Sequence, residues 1–295
     1  NMKLYWEEDV KGQDCLIVNG KDIKMEKDIK ILIVGDIHGR EFWKEPVKTV
    51  LENSDAKIVF LGDYLDPYPW EFDSDFELGH DASTGYLQTA IDNFKQIIEL
   101  KKRYSDRIAL LLGNHDCTYA ISTDICNSRT DYLHFDEIKK LFDDNRNCFQ
   151  IAKEENINGK HLIFSHAGML KEYFKEQFPD INFEKVNPVE FLNNAWLVKD
   201  YSVLYALGVY DYYRGYGGVK YASPVWSDIR MWATIKPEET FGFNVVGHTQ
   251  LKEEPIMFEA IACLDCRKCF YANSNGDIVD YDTDKIIEKT IKPTD

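Results

Sequence analysis

The chain is 295 residues long, enough for one large domain or two ordinary ones, and an apolar fraction of 44% with 14% aromatics excludes global disorder. Lys and Arg total 35 against 51 Asp and Glu, and the resulting formal charge of −16 argues against a surface built for a nucleic-acid backbone. Seven cysteines, odd in number and scattered, fit a reduced cytoplasmic protein better than a disulfide framework, and no apolar stretch approaches the roughly 18 to 20 residues of a membrane span.

The start, Asn1-Met2-Lys3, carries no signal-peptide core. Residues 4 to 29 mix short apolar pieces with Gly12 and many charges; Asn19-Gly20 after Leu16-Ile17-Val18 predicts a hairpin, in a lead-in that extends a sheet. Ile31 to Val34 predict a short buried strand that ends at Gly35 and presents Asp36 and His38. At near-extended spacing, residues i and i+2 point the same way, so a carboxylate and an imidazole are aimed together as two ligands of one metal. Glu41 to Asn53 reads as helical, with Pro46 near its first turn. Lys57 to Leu61 form the second buried strand, which delivers Gly62-Asp63-Tyr64-Leu65-Asp66.

Residues 67 to 82 read as a loop, with Pro67, Tyr68, Pro69, Trp70, Phe72 and Phe76 among five acids. It is either a local packing cluster or a rim beside the site that follows Asp63, since long aromatic loops are often functional. Helical periodicity runs from Ser83 to Tyr104, and a third strand, Arg107 to Leu112, ends in Gly113-Asn114-His115-Asp116. Another strand, His161 to Phe164, leads into Ser165-His166-Ala167-Gly168, and Phe243 to Val246 leads into Gly247-His248-Thr249. A lone histidine after a strand is most often a structural hydrogen-bonder. Five strand ends that repeat one design, an apolar run, a Gly or Ser, then Asp, Asn or His, make coincidence a poor explanation. The Asn114 carbonyl oxygen suits a hard divalent ion, and His115 beside it lies close to anything bound there.

Pro188 to Leu207 reads as helical, and Tyr201 to Tyr221 holds seven tyrosines with Gly215, Gly217 and Gly218, read as packing plus a turn. Cys263, Cys266 and Cys269 form a C-x2-C-x2-C run, but a fourth thiolate or histidine nearby is missing, so strands are favoured over a metal knuckle.

As a set, Gly35-Asp36-Ile37-His38-Gly39, Gly62-Asp63-Tyr64-Leu65-Asp66, Gly113-Asn114-His115-Asp116, Ser165-His166-Ala167-Gly168 and Gly247-His248-Thr249 resemble the ordered motifs of calcineurin-like metallophosphoesterases. Val225-Trp226-Ser227-Asp228 and the stretches 261–271 and 278–280 are similar to the Trp-Ser-Asp segment and closing strand pair of the phosphoprotein phosphatase branch. The resemblance implies an α/β fold of two stacked mixed β-sheets flanked by helices, a four-layer sandwich, in a single domain over 1–295 with its catalytic core at 30–282. It implies two divalent metal ions: one held by Asp36, His38 and Asp63, the other by Asp63, Asn114, His166 and His248, with Asp63 bridging. Manganese is the first expectation, with iron or zinc as alternatives, because mixed oxygen and nitrogen ligands do not select sharply. His115 matches the family's general acid, Asp66 its orienting carboxylate, and Asp116, in place of the more usual Glu, is expected to support the ligands.

Two positions depart from the pattern. Pro67 and Leu112 stand where that branch places arginines that grip phosphate in a bidentate fork. Arg40, Arg129, Arg214 and Arg230 are the substitutes on offer, and Arg230, just past Trp226-Ser227-Asp228, is the best placed. The expected activity is hydrolysis of phosphomonoesters, on a phosphoprotein or a small phosphoester, without nucleic-acid or membrane partners. Dinucleoside polyphosphates and cyclic phosphodiesters are alternative substrates, and a metal-binding scaffold with weak turnover is the alternative of another class.

Overall fold

Strands buried on both faces read as continuous apolar runs, and this chain places such runs side by side in parallel. The computed structural model describes residues 6–8, 14–16, 27–72, 85–121, 127–207 and 220–290. At the start, β1 (Trp6–Glu8) and β2 (Asp14–Leu16) pair antiparallel with each other, and among the described residues neither pairs with a larger sheet. One outer edge is met instead by the chain's own later segment, where Ile286 bridges Val279. Asn19-Gly20 lies outside the described residues.

The first large sheet takes β3 (Ile31–Val34), β4 (Lys57–Phe60), β5 (Ile108–Leu111) and β6 (Phe149–Gln150) in parallel, with β12 (Cys269–Ala272) and β13 (Ile278–Asp280) antiparallel at one side. The crossovers are helical: α1 (Lys44–Asn53) after β3, α2 (Pro69–Phe72) and α3 (Gly85–Arg103) after β4, α4 (Asn114–Ala120) and α5 (Phe135–Asp144) after β5. The second sheet has the order β10-β11-β9-β8-β7, from β7 (Ala152–Ile157), β8 (Lys160–Ser165), β9 (Phe243–Val246), β10 (Ile256–Met257) and β11 (Ile261–Cys263). Here β8, β9 and β11 run parallel, while β7 and β8 form a hairpin through Asn158-Gly159. Both turn residues have positive φ, 50° and 79°, as a two-residue hairpin turn of this hand requires.

The period-two alternation of side chains divides each strand between two cores. Ile31, Ile33, Val59, Leu61, Ala109 and Leu111 pack between the sheets against Leu162, Phe164, Val245 and Ala262. Leu32, Val34, Ile58, Phe60 and Leu110 face outward into a core shared with α1 and α3 through Val47, Val50, Ile91, Phe94 and Ile97. On the other side of the molecule α6 (Lys171–Gln177), α7 (Pro188–Leu197) and α8 (Ile229–Trp232) bury Tyr173, Phe174, Leu192, Trp196 and Trp232. The layers are therefore helix, sheet, sheet, helix, as expected.

The helix expected over 188–207 ends at Leu197. Lys199 takes a left-handed φ of 63°, which stops an α-helix, and a 3-10 turn at Tyr201–Leu204 follows. None of the described helices is long and apolar enough to cross a membrane.

Candidate active site

The carboxyl ends of β3, β4, β5, β8 and β9 meet at one end of the sandwich, where open α/β sheets bind their ligands. The loops after β3 and β4 are laced together: Ile37 and His38 both donate backbone N–H groups to the Asp63 carbonyl, at 3.1 and 2.7 Å, and Gly39 donates to Tyr64 at 3.0 Å. His38, Asp63, Asp66 and His248 all have positive φ, between 42° and 66°. That backbone region costs an ordinary residue about 1–2 kcal/mol, and such strain gathers where geometry serves function. It also corrects the expected geometry at β3, because His38 sits in a left-handed turn rather than at extended i, i+2 spacing, and its ring gathers with Asp63 and His115 while Asp36 gathers with Asp63 and His166.

Every side chain proposed as a metal ligand from the sequence is brought here, and all but the partly exposed His248 are buried. Asp36, Asp63 and His166 present ligand atoms within 4.8 Å of one another, and so do His38, Asp63 and His115. Asp63 belongs to both groups: its Oδ2 lies 3.6 Å from His38 Nε2 and 3.4 Å from His166 Nε2. Asn114 Oδ1 meets His166 Nε2 at 3.0 Å and His248 Nδ1 at 2.9 Å, while its amide nitrogen donates to Asn127 Oδ1 and so turns the carbonyl oxygen toward the histidines. Asp36 leans to the same side, accepting the His248 backbone N–H at 3.0 Å.

These residues suit divalent ions. Among the described residues buried Asp36 Oδ1 has no hydrogen-bond partner, which a carboxylate oxygen tolerates poorly unless a cation meets it. His38 and His166 each point Nδ1 at a backbone carbonyl, of Leu65 at 2.7 Å and of Leu61 at 2.8 Å, and leave Nε2 facing Asp63. Metal-binding histidines are ordinarily oriented in this way. The glycines of the repeated motif have a steric reason: a Cβ on Gly113 would sit 2.0 Å from Asp63 Oδ1, and one on Gly247 would sit 1.8 Å from Asp36 Oδ1.

The charges are strongly coupled. Burial opposes ionisation of Asp63, but His166, His115 and His38 hold it well below the usual carboxylate range. Burial also opposes a charged His166, yet the Asp63 and Asp36 carboxylates push it up to about 10. Burial, then the charge of His166, brings His248 down to about 3, and burial with repulsion from Asp265 lifts Asp36 well above its ordinary value.

Beside the ligands, His115 Nδ1 lies 2.6 Å from Asp66 Oδ2, and the Tyr119 hydroxyl holds the other Asp66 oxygen. Burial raises the Asp66 carboxyl, against the pull of His115. The His115 ring packs edge-on to His38, centroids 5.0 Å apart, and belongs to the cluster that His38 and Asp63 form. Asp116 lies behind them, its carboxylate accepting the backbone N–H groups of Asp63, Gly113 and Tyr64 at 2.7, 2.8 and 3.0 Å.

Arg230, expected as a phosphate contact, is engaged by a neighbouring carboxylate. Its guanidinium is bidentate on Asp228, both contacts at 2.8 Å, and its side chain is 62% exposed. Arg40 is bidentate on Glu71, which Arg267 also contacts. Trp70 is half-exposed and packs edge-on to Tyr68, and Tyr68 in turn packs edge-on to His38 at 5.3 Å; Phe76 and Arg214 lie outside the described residues. The cysteine run fixes backbone rather than metal: the buried Cys263 thiol donates to the carbonyls of Gly247 and Thr249, on either side of His248. Sequence reasoning missed Asp265, 4% exposed and raised to about 6 by burial, with its charge acting on Asp36. The signal was there, since Ile261 to Leu264 is another apolar run that ends in an acid.

A family model described as calcineurin-like phosphoesterase matches residues 29–250. Among solved structures, a protein serine/threonine phosphatase from Saccharomyces cerevisiae is similar at 12% identity and a TM-score of 0.43, covering 91% of this chain and 82% of that one. A hypothetical protein from Pyrococcus horikoshii is similar at 12% identity and a TM-score of 0.40, covering 88% and 87%.

Proposed function

The chain belongs to the calcineurin-like phosphoesterase family, and from that premise we propose that it is a phosphatase that hydrolyses phosphomonoesters with two divalent ions sharing Asp63. The observation that carries this reading is the buried His115–Asp66 pair, 2.6 Å apart, with the His115 ring gathered against His38 and Asp63 and with Asp63 also meeting Asp36 and His166. A structural metal site has no use for a proton donor. Asp36, His38 and Asp63 would hold one ion, and Asp63, Asn114, His166 and His248 the other. Bound there, the ions supply a nucleophilic water at neutral pH and neutralise charge on the phosphoryl oxygens.

The protein's own groups do the rest. Asp66 fixes the His115 ring by accepting from Nδ1, which leaves Nε2 to deliver a proton to the leaving oxygen as the phosphorus–oxygen bond breaks. Tyr119, bonded to the same carboxylate, keeps Asp66 from turning away. The donor set of carboxylate, amide and imidazole supports manganese, with iron or zinc as alternatives. A phosphoprotein or a small phosphoester is the proposed substrate. A cytoplasmic setting is supported by the free thiols of Cys117, Cys148, Cys263, Cys266 and Cys269.

A panel of phosphoprotein, phosphomonoester, dinucleoside polyphosphate and cyclic phosphodiester substrates with added manganese tests this. Manganese-dependent release of phosphate from monoesters, abolished in Asp63→Asn, is expected. Turnover confined to polyphosphates or diesters would move the substrate assignment, and bound metal without any turnover would favour the scaffold.

A further inference from the structure

Pro67 has no charge to offer, and another part of the chain brings an arginine against the backbone directly before it. We infer that Arg129 is the residue that grips the substrate's phosphate, an inference that rests on the phosphatase reading above. Its Nε donates to the backbone carbonyl of Asp66 at 3.0 Å, directly before Pro67, and its Nη1 donates to Ser128 Oγ at 2.9 Å. The guanidinium carbon lies 3.7 Å from the centroid of the Tyr68 ring, whose edge meets His38. The positive charge is therefore felt at His38, beside His115.

Charge balance separates Arg129 from the other arginines nearby. Arg40 and Arg267 share Glu71, and Arg230 is engaged by Asp228. Arg129 binds a carbonyl and a hydroxyl, both neutral, and among the described residues no carboxylate pairs with it. In a chain with 51 acids an unneutralised guanidinium is costly to place next to a site for two dications, because like charges repel. An incoming phosphate dianion removes that cost, and the planar fork matches its oxygens.

The loop that carries Arg129 is tied to the site at two points. Asn127, 4% exposed, exchanges hydrogen bonds with the side chain and carbonyl of Asn114, and the Asp131 N–H donates to the Tyr119 hydroxyl that holds Asp66. Between these anchors Arg129 itself has a φ of 63°, so the backbone is strained in order to turn this one side chain. The plainer role, a cation stacked on Tyr68 to stiffen the loop, predicts a loss of stability in variants without a change in anion affinity.

The test is calorimetric titration of inorganic phosphate into the manganese-loaded chain, with wild type, Arg129→Ala, Arg129→Lys and Arg230→Ala compared at equal measured metal content. Phosphate affinity is expected to fall about ten- to a hundredfold in Arg129→Ala, to be partly kept in Arg129→Lys, and to fall less in Arg230→Ala. Unchanged affinity in Arg129→Ala, a larger loss in Arg230→Ala, a loss that follows loss of manganese, or a wild type that binds no phosphate would each overturn the assignment. The two readings fail separately: phosphate held through Arg129 without turnover on any phosphoester removes the phosphatase, while turnover with affinity untouched in Arg129→Ala removes only the grip.

Discussion

A single methyl group at Gly247 would collide with Asp36, and one at Gly113 with Asp63, in places where the neighbour is a fixed carboxylate rather than a flexible side chain. Gly247→Ala is therefore expected to lower manganese content as measured by elemental analysis and to lower the melting temperature, because Asp36 must swing out of the ligand cluster. His115→Ala should behave in the opposite way. It leaves the ligands of the proposed ions in place, so metal content is kept, while turnover falls by roughly 10² to 10⁴ for poor leaving groups. The loss should shrink for a nitrophenyl ester, whose leaving group needs little protonation, and equal losses on both substrates would take His115 out of the donor role. Of the residues in the proposed site, the proposed ligands and the His115–Asp66 pair were legible because they fall in five motifs that each follow an apolar run. Arg129 and Asp265 were harder to read, since Arg129 is positioned by Tyr68 and by Asp66, 63 residues away in sequence, and Asp265 lies among cysteines that suggested a different chemistry.

Elements rather than residues explain how five loops stay in register. The first turn of α4 carries Asp116, which ties the end of β4 to the end of β5 by accepting three buried N–H groups. Asp116→Ala leaves those donors unsatisfied at about 1–3 kcal/mol each, so chemical denaturation should show a loss of several kcal/mol together with lower metal content. Wild-type stability in that variant would mean that water replaces the carboxylate at no cost. The strands 31–34 and 243–246 were legible to the residue, and those read at 57–61, 107–112 and 161–164 to within a residue or two, because burial leaves apolar runs, while β6, β7 and β10 are too short or too polar to show one. The β7–β8 hairpin was equally open to reading through Asn158-Gly159 but was passed over for Asn19-Gly20. The left-handed turns at His38 and His248 had no comparable sign, since no glycine occupies those positions and tertiary bonds hold the strain.

For the molecule as a whole, proton and metal compete at the seam between the sheets. His166 hydrogen-bonds through both ring nitrogens and is pushed up to about 10, so near neutral pH its Nε2 carries a proton where an ion would bind. A value raised in the folded state gives stability that is complete below the unfolded value of about 6.5 and is lost as pH rises through about 10. Metal affinity changes in the other direction, because the ligand nitrogen must be deprotonated. Manganese uptake at pH 7.5 should accordingly release about one proton per chain from His166, measured by titration in buffers of different ionisation enthalpy, and should raise the melting temperature more at pH 9 than at pH 6.5. Uptake without proton release would show that His166 is already neutral.

The bond between Asp36 and the backbone of His248 spans 212 residues of sequence. A chain emerging from the ribosome thus exposes the ligands at 36, 38 and 63 long before the partners at 166 and 248 exist, and the acidic early half must wait with its carboxylates facing nothing but one another and solvent. Closing so long a loop is slow. Capture of the proposed pair of ions would therefore wait until the two sheets dock, and the rate of manganese uptake during refolding is expected to follow the last step of folding rather than binding itself.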